Sequence, residues 1–270
     1  MSELKVAIAG AGGRMGAANI RAVTATPGIA VYSAFERPGS AAIGRDAGEY
    51  AGIDKLGVVI GDDPEAAVAG ADAIIDFTGP AVSVMLSELA ADRGLVDIIG
   101  TTGCSKEEDW AIAKAGSAGA RIVKTGNFSL GVNILMGLVR QAAAALPDYD
   151  VEVLEMHHNR KVDAPSGTAL MLGRAAAEAR GVAFEPNAVL SREGQTGARV
   201  RGTIGFAALR GGNVIGEHTV LFAGETERIE ITHRASDRGM FAAGAVRAAL
   251  WAKDQPPGFY DMADVLGFKE

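Results

Sequence analysis

Apolar positions along the chain follow two rhythms. Up to Asn127, short runs rich in β-branched and other apolar residues alternate with stretches whose apolar positions recur at helical spacing. Leu4 to Ala9, Ile29 to Phe35, Val58 to Ile60, Ala73 to Phe77, Val96 to Ile99 and Ile122 to Lys124 read as strands. Met15 to Ala25, Val82 to Asp92 and Lys106 to Ala115 read as helices between them. Strands that are apolar almost throughout are buried on both faces. Repeated βα units of this kind therefore predict an α/β fold with a Rossmann-like, doubly wound parallel sheet.

After Asn127 the rhythm changes. Gly131 to Leu146 is one long helical pattern stopped by Pro147, Val151 to Met156 alternates like a strand, and Ser166 to Arg180 is helical again. Ala198 to Leu209, Asn213 to Phe222 and Glu227 to His233 then follow as strand candidates with no helix between them. Strands in direct succession predict a second, α+β domain with a mixed or antiparallel sheet. The tail from Gly239 to Lys253 is helical and is expected to return to the first domain. The expected division is residues 1–127 completed by 238–270, and residues 128–237, joined by two short, hinge-like crossings.

Composition narrows the function classes. With 48% hydrophobic and 22% charged residues and 36 glycines in 270 positions, the chain is globular and rich in tight turns. Its formal charge of -7 offers no general attraction for a phosphate backbone or an anionic membrane, so nucleic acid is not an expected partner. No apolar stretch approaches the roughly 18 residues needed to cross a bilayer, and no membrane partner is expected either. The single cysteine, Cys104, cannot form an internal disulfide, and the start runs into a strand without the pattern of a secretory signal. A cytoplasmic protein is expected.

The first candidate chemistry follows the first strand. Gly10-Ala11-Gly12-Gly13-Arg14-Met15-Gly16 opens a helix, and glycines there let backbone amides and the helix N-terminus approach a pyrophosphate. The strict G-x-G-x-x-G spacing fails at Met15; the match is the variant at positions 10, 13 and 16. Twenty residues past Gly16 stands Glu36-Arg37, at the end of the second strand. A carboxylate there accepts from the ribose hydroxyls of NADH, and a guanidinium grips the 2′-phosphate of NADPH. Having both predicts use of either cofactor. Gly100-Thr101-Thr102 and Thr125-Gly126-Asn127-Phe128 end the fifth and sixth strands, where loops of open α/β sheets line a ligand crevice. Ordinary turn chemistry explains these two loops equally well.

The second candidate is His157-His158-Asn159-Arg160-Lys161, which runs through Val162-Asp163-Ala164-Pro165 into Ser166-Gly167-Thr168 before a helix. So many cationic or protonatable groups cannot share an apolar core, so the segment is expected in a polar cleft or as a solvated turn. Ser166, Gly167 and Thr168 form an N-cap whose amides suit a carboxylate or phosphate. Glu155, His157, His158, His218 and His233 could also be weighed as metal ligands. Adjacent histidines on a strand point to opposite faces, so no metal is expected.

Over Glu155-Met156-His157-His158-Asn159-Arg160-Lys161-Val162-Asp163-Ala164-Pro165-Ser166-Gly167-Thr168-Ala169 the chain resembles the E-x-H-H-x-x-K-x-D-x-P-S-G-T-A signature of dihydrodipicolinate reductases. The resemblance extends to Val6 through Gly16, Phe35-Glu36-Arg37, Ile75-Asp76-Phe77-Thr78, Gly100 to Gly103, Asn127-Phe128-Ser129, Ser191 to Gly194, Gly216 to Thr219 and Phe241 to Trp251. Thr125-Gly126 departs from the two alanines of many members. The resemblance implies hydride transfer from NADPH or NADH to a cyclic dicarboxylated imine derived from 4-hydroxy-tetrahydrodipicolinate, in diaminopimelate and lysine biosynthesis. It implies His157 as general acid/base and Lys161 as proton donor near the ring nitrogen. His158, Ser166, Gly167 and Thr168 are implied to bind the substrate. It further implies a homotetramer assembled through the second domain.

Two other readings stay open on the residues alone. One is an oxidoreductase of similar plan, a homoserine- or aspartate-semialdehyde-type dehydrogenase; the latter needs a catalytic cysteine, and Cys104 sits instead in a cofactor-type loop. A regulator that senses NAD(P)H without turnover has no need of the His157 to Lys161 cluster.

Overall fold

The computed structural model describes residues 3–268, so the outermost two residues at each end of the expected first domain lie outside the described residues. The chain forms two compact units, one comprising residues up to Leu130 together with those from Gly239 onward, the other Gly131–Arg238.

In the first unit β1 (Leu4–Ala9), α1 (Arg14–Thr24), β2 (Ile29–Phe35), α2 (Ala47–Ala51), β3 (Ile60–Gly61), α3 (Pro64–Val68), β4 (Ala73–Asp76), α4 (Pro80–Arg93), β5 (Val96–Ile99), α5 (Lys106–Ser117) and β6 (Arg121–Lys124) follow in turn. The second unit contains α6 (Leu130–Ala145, beginning at the boundary residue), β7 (Asp150–His157), α7 (Gly167–Ala179), α8 (Phe184–Asn187), β8 (Ala188–Val189), β9 (Ile204–Arg210), β10 (Glu217–Ala223) and β11 (Arg228–Arg234). The chain then returns to the first unit with α9 (Gly239–Ala252), β12 (Gly258–Tyr260) and α10 (Met262–Val265).

The first unit's sheet runs β12-β6-β5-β4-β1-β2-β3, and every neighbouring pair is parallel. Period-two alternation divides β1 between two cores. Val6 and Ile8 join Ile20 and Val23 of α1 and Ala245, Ala248 and Ala249 of α9. Ala7 and Ala9 join Leu86 of α4 and Ile112 of α5 on the other face. Both faces are therefore covered, which is why these strands lack an alternating polar side. All loops at the carboxyl ends of the strands then gather along one edge of the sheet, and the strand order reverses between the neighbouring strands β1 and β4, where open α/β sheets place a ligand crevice.

The second unit's sheet runs β11-β10-β7-β9-β8. β7 pairs antiparallel with β10 and parallel with β9, so the sheet is mixed. Val151 and Val153 of β7, Val220 and Phe222 of β10, and Ile204 and Phe206 of β9 point inward onto Leu135 and Val139 of α6 and Leu172 and Ala176 of α7. The same alternation turns Glu155 inward, at 1% exposure.

Two expectations about strands need correction. The strand expected from Ala198 begins only at Ile204, because the Arg199 guanidinium donates to the Asp150 and Glu152 carboxylates and to the carbonyls of Val151 and Thr203. Those bonds fold residues 198–203 against the start of β7 rather than letting them extend. The strand expected from Asn213 begins at Glu217, after a turn that includes Gly212 at a φ of 52°. The short elements α2, α3, β12 and α10 carry too few residues for a periodic signal; α2, α3 and α10 are started by Asp46, Asp63 and Asp261, whose side chains accept first-turn amides.

Candidate active site

In the first unit the loop from Gly10 to Gly13 leaves β1 and turns directly into α1, which begins with no side-chain cap. Its first-turn amides are thus not satisfied by a capping side chain, the state in which a helix N-terminus receives an anion. Gly16 is packed so tightly that a Cβ there would stand 2.2 Å from the Gly10 carbonyl oxygen and 2.7 Å from the Ala11 Cα. Only glycine lets α1 start this close to the loop. Glu36 and Arg37 follow β2, and the Gly12 N–H donates to Glu36 Oε2 at 2.9 Å. The glycine loop and the acidic residue are therefore brought together as the spacing predicts.

A cavity of about 570 Å³ lies over this edge, lined among others by Gly13, Glu36, Arg37, Asp62, Thr78 and Met85. Its size and mixed lining fit one half of a dinucleotide. The neighbouring loops are knitted to one another. The Thr78 N–H donates to Thr101 Oγ1 at 3.1 Å, and Thr78 is itself held by hydrogen bonds from its N–H and hydroxyl to Asp76. Phe77 packs against Phe128 with ring centroids 5.6 Å apart. Thr125 Oγ1 accepts the Asn127 N–H, and Asn127 Oδ1 accepts the Ser129 N–H, so this turn is fixed before any ligand arrives. Arg14, Thr102 and Gly126 are exposed, while Gly100 and Met15 are half-buried. Asp76 is fully buried, and burial pushes its carboxyl up against hydrogen bonds from Ser83, Thr78 and Thr101.

In the second unit β7 delivers Glu155 and His157 to the same side of its end, two residues apart. His157 Nδ1 lies 2.5 Å from Glu155 Oε2. Arg210, opposite His157 in the β7–β9 register, forks onto Glu155 with two bonds of 2.8 Å, and the Ser166 N–H donates to Glu155 Oε1 at 3.1 Å. Burial pushes the Glu155 carboxyl up, but the bonds from Arg210 and His157 outweigh it and hold the group below the usual carboxylate range. Glu155 is therefore an anion inside the unit.

His218 on β10 stacks edge-on to His157, ring centroids 5.2 Å apart, and its Nε2 lies 3.1 Å from Ser166 Oγ. Burial, and next the nearby His157, lower its pKa to about 4, so its ring is neutral and shares one hydrogen bond with the serine hydroxyl. Ser166 Oγ also accepts the Ala169 N–H as the cap of α7. The hydroxyl is thus fully used within the unit, and Gly167 and Thr168 follow at the exposed and half-exposed start of α7. Lys161 Nζ bonds both oxygens of Asp163, at 2.7 and 2.8 Å, and this contact holds the Asp163 carboxyl below its ordinary value. His158 lies past the end of β7, where burial and then the cations Arg160 and Arg238 disfavour its protonation. Among the described residues no group of three or more His, Cys, Asp or Glu is arranged to hold a metal.

Pattern reasoning missed Arg210, which nothing local marks, and gave Glu155 and His218 a place only as possible metal ligands and as parts of the family resemblance. A glutamate at an inward position of an alternating strand was the available signal for Glu155.

Residues 4–128 match the family model for the N-terminus of dihydrodipicolinate reductase, and residues 131–266 match that for its C-terminus. The chain belongs to the dihydrodipicolinate reductase family. The first unit is accordingly the family's NAD(P)-binding domain, and this family member is an oxidoreductase. It is 56% identical over 266 residues to a 4-hydroxy-tetrahydrodipicolinate reductase of Rhizobium rhizogenes, covering 98% of this chain and 97% of that one. A second such reductase, from Agrobacterium fabrum, is 55% identical, with 100% of this chain and 98% of the other covered. Among solved structures, the dipicolinate-bound dihydrodipicolinate reductase of Paenisporosarcina sp. TG-14 superposes with a TM-score of 0.79 at 25% identity, covering 96% of this chain and 97% of that chain.

Proposed function

We propose that this family member reduces the cyclic imine derived from 4-hydroxy-tetrahydrodipicolinate, with loss of water, to tetrahydrodipicolinate on the way to diaminopimelate and lysine. The observation that carries the reading is the cluster that follows the end of β7 along the chain: an anion-anchored histidine, a lysine and the Ser166-capped start of α7. A dianionic heterocycle calls for cations, amides and a proton source, and these are their residue types. The dipicolinate bound to the Paenisporosarcina relative is a ligand of the same chemical class.

NADH or NADPH, when bound, supplies the hydride. In the first unit the amides of Arg14 and Met15 at the start of α1 would hold the pyrophosphate where the Gly10, Ala11, Gly12 and Gly13 backbone lets it approach, with Glu36 and Arg37 at the adenosine ribose. Gly100, Thr101, Thr102 and Thr125 to Phe128 would line the nicotinamide end. In the second unit Gly167 and Thr168 would bind one substrate carboxylate through the start of α7, with His158 as a further contact. Ser166 supports them by capping the helix. Lys161, paired with Asp163, would exchange that partner for the substrate and donate a proton near the ring nitrogen as negative charge develops there. His157 would serve as general acid/base.

The domain assignment proposed with this reading is residues 1–127 and 238–270 for the nucleotide and 128–237 for substrate and assembly. A homotetramer, which rests on the family resemblance, and a cytoplasmic location, for which the single Cys104 speaks, complete it. Oxidation of NADH or NADPH, followed with freshly generated 4-hydroxy-tetrahydrodipicolinate, tests the activity. Turnover is expected with both cofactors; its absence with both would overturn the reading, and its absence with one alone would overturn only the use of either cofactor.

A further inference from the structure

Four hydrogen bonds converge on Glu155, whose side chain has no solvent exposure, and one of them comes from His157. A carboxylate at an inward strand position is costly to bury unless its oxygens are fully used. Here they are: Oε2 accepts from Arg210 Nη1 and His157 Nδ1, Oε1 from Arg210 Nη2 and the Ser166 amide. An acceptor-only anion at Nδ1 requires a proton on that nitrogen, which leaves Nε2 as the exchangeable end of the ring.

The other end of the ring is kept clear. A Cβ at residue 216 would stand 3.0 Å from His157 Nε2, and Gly216 supplies none. The backbone beside the ring is also tied, since the His157 carbonyl accepts the Gly211 N–H at 2.9 Å. Arg210 has a second task. Its Nη2 donates at 2.6 Å to the Asp163 carbonyl, at the base of the turn whose carboxylate holds Lys161. One guanidinium thus links the anion behind His157 to the turn bearing Lys161.

We infer that Glu155 and Arg210 are positioning residues for His157: the carboxylate sets its tautomer and ring direction, and the guanidinium holds the carboxylate ionised and in place. The inference rests on the acid/base reading of His157 given above. The arrangement follows the logic of a histidine oriented by a buried carboxylate, in which the carboxylate touches neither substrate nor cofactor and acts only through the ring. Glu155→Gln keeps the size of the side chain but allows its amide to donate to Nδ1, which frees the other tautomer. It also leaves the Arg210 charge beside the ring without its counter-ion.

The test is a double-mutant cycle on the full-length enzyme. Glu155→Gln is expected to lower kcat by about 10- to 100-fold, the range typical for partners that orient a functional histidine. KM and the NADH dissociation constant should stay within about twofold of wild type. In a His157→Ala background the same substitution should lower kcat no further, because a residue acting through the ring has nothing left to act on. An unchanged kcat in Glu155→Gln, or equal losses with and without His157, would overturn the inference; the second result is what a merely structural role produces. Nitrogen-15 NMR of the wild-type histidines gives a readout that needs no variant, and His157 is expected to carry its proton on Nδ1 when neutral. A proton on Nε2 would overturn the inference outright. If Glu155→Gln does not fold, Arg210→Lys replaces it in the cycle: the charge remains, the two-pronged grip is lost, and kcat should fall about tenfold. Wild-type kcat in Arg210→Lys counts against the inference. A His157→Ala enzyme with normal kcat would instead defeat the acid/base reading, and the tautomer would still decide whether Glu155 orients the ring.

Discussion

Replacing Arg37 with alanine separates the two cofactors. The side chain is exposed at the end of β2, lines the 570 Å³ cavity beside Glu36, and forms no ion pair among the described residues. The substitution therefore removes little from the folded protein itself. What it removes is a guanidinium suited to a 2′-phosphate, a charge-assisted contact worth about 1.5–3 kcal/mol. At about 1.4 kcal/mol per factor of ten, NADPH affinity should fall about 10- to 150-fold. The Glu36 carboxylate would then face that phosphate without a neutralising neighbour, which places the loss towards the upper end. NADH has no 2′-phosphate, and the bond from the Gly12 N–H to Glu36 Oε2 stays in place, so its affinity should change less than about twofold. Fluorescence titration of wild type and Arg37→Ala with each cofactor at several salt concentrations measures this directly. The NADPH deficit should shrink as salt rises, because the contact is exposed and screened. Equal losses for both cofactors, or an unchanged NADPH dissociation constant, would refute the assignment of Arg37.

Lys161→Ala is expected to cut kcat by about 10²- to 10⁴-fold in steady-state assays while leaving NADH binding intact, because the lysine meets charge that develops only during the reaction. Collapse of NADPH affinity with a normal kcat would mark the segment as a phosphate site instead. Thr168→Val should mainly raise KM, since a contact to a substrate carboxylate is made before and during the reaction alike. Asp97 supplies a stability prediction: it is fully buried on β5, one carboxylate oxygen has no partner, and burial, then the charge of Asp76, push its carboxyl well above the ordinary value despite a hydrogen bond from Ser87. A raised folded-state value means stability present below the unfolded value and lost as pH rises through the folded one, so Asp97→Asn should stabilise the protein by about 1–3 kcal/mol at neutral pH and by nothing at acid pH in thermal melts.

The architecture was legible where its signal is local and periodic. Runs that are apolar but for one aspartate, such as Ala73 to Asp76 and Val96 to Ile99, identify strands covered on both faces, and the helix-to-strand rhythm alone predicts a parallel sheet. The same reasoning fails for residues 198–203. Their composition is strand-like, but Arg199 reaches four oxygens on Asp150, Val151, Glu152 and Thr203, and bonds to partners nearly fifty residues away leave no mark in a local window. α2, with five residues, lies below the length at which a period can be counted.

The candidate site divides along the same line. The glycine loop and the His157 to Thr168 run are contiguous, so the order of residues by itself carries their chemistry. Arg210 lies 53 residues beyond His157 in number and is its neighbour only because β7 and β9 pair in parallel with those two residues in register. Moving that register by one residue would turn Arg210 to the opposite face and leave Glu155 buried as an unpaired anion. The inward glutamate can persist only in the one pairing that brings a guanidinium against it. Glu155 therefore ties the choice of strand register to the orientation of the histidine beside it, and a variant that loosens this pairing should weaken folding specificity and catalysis together.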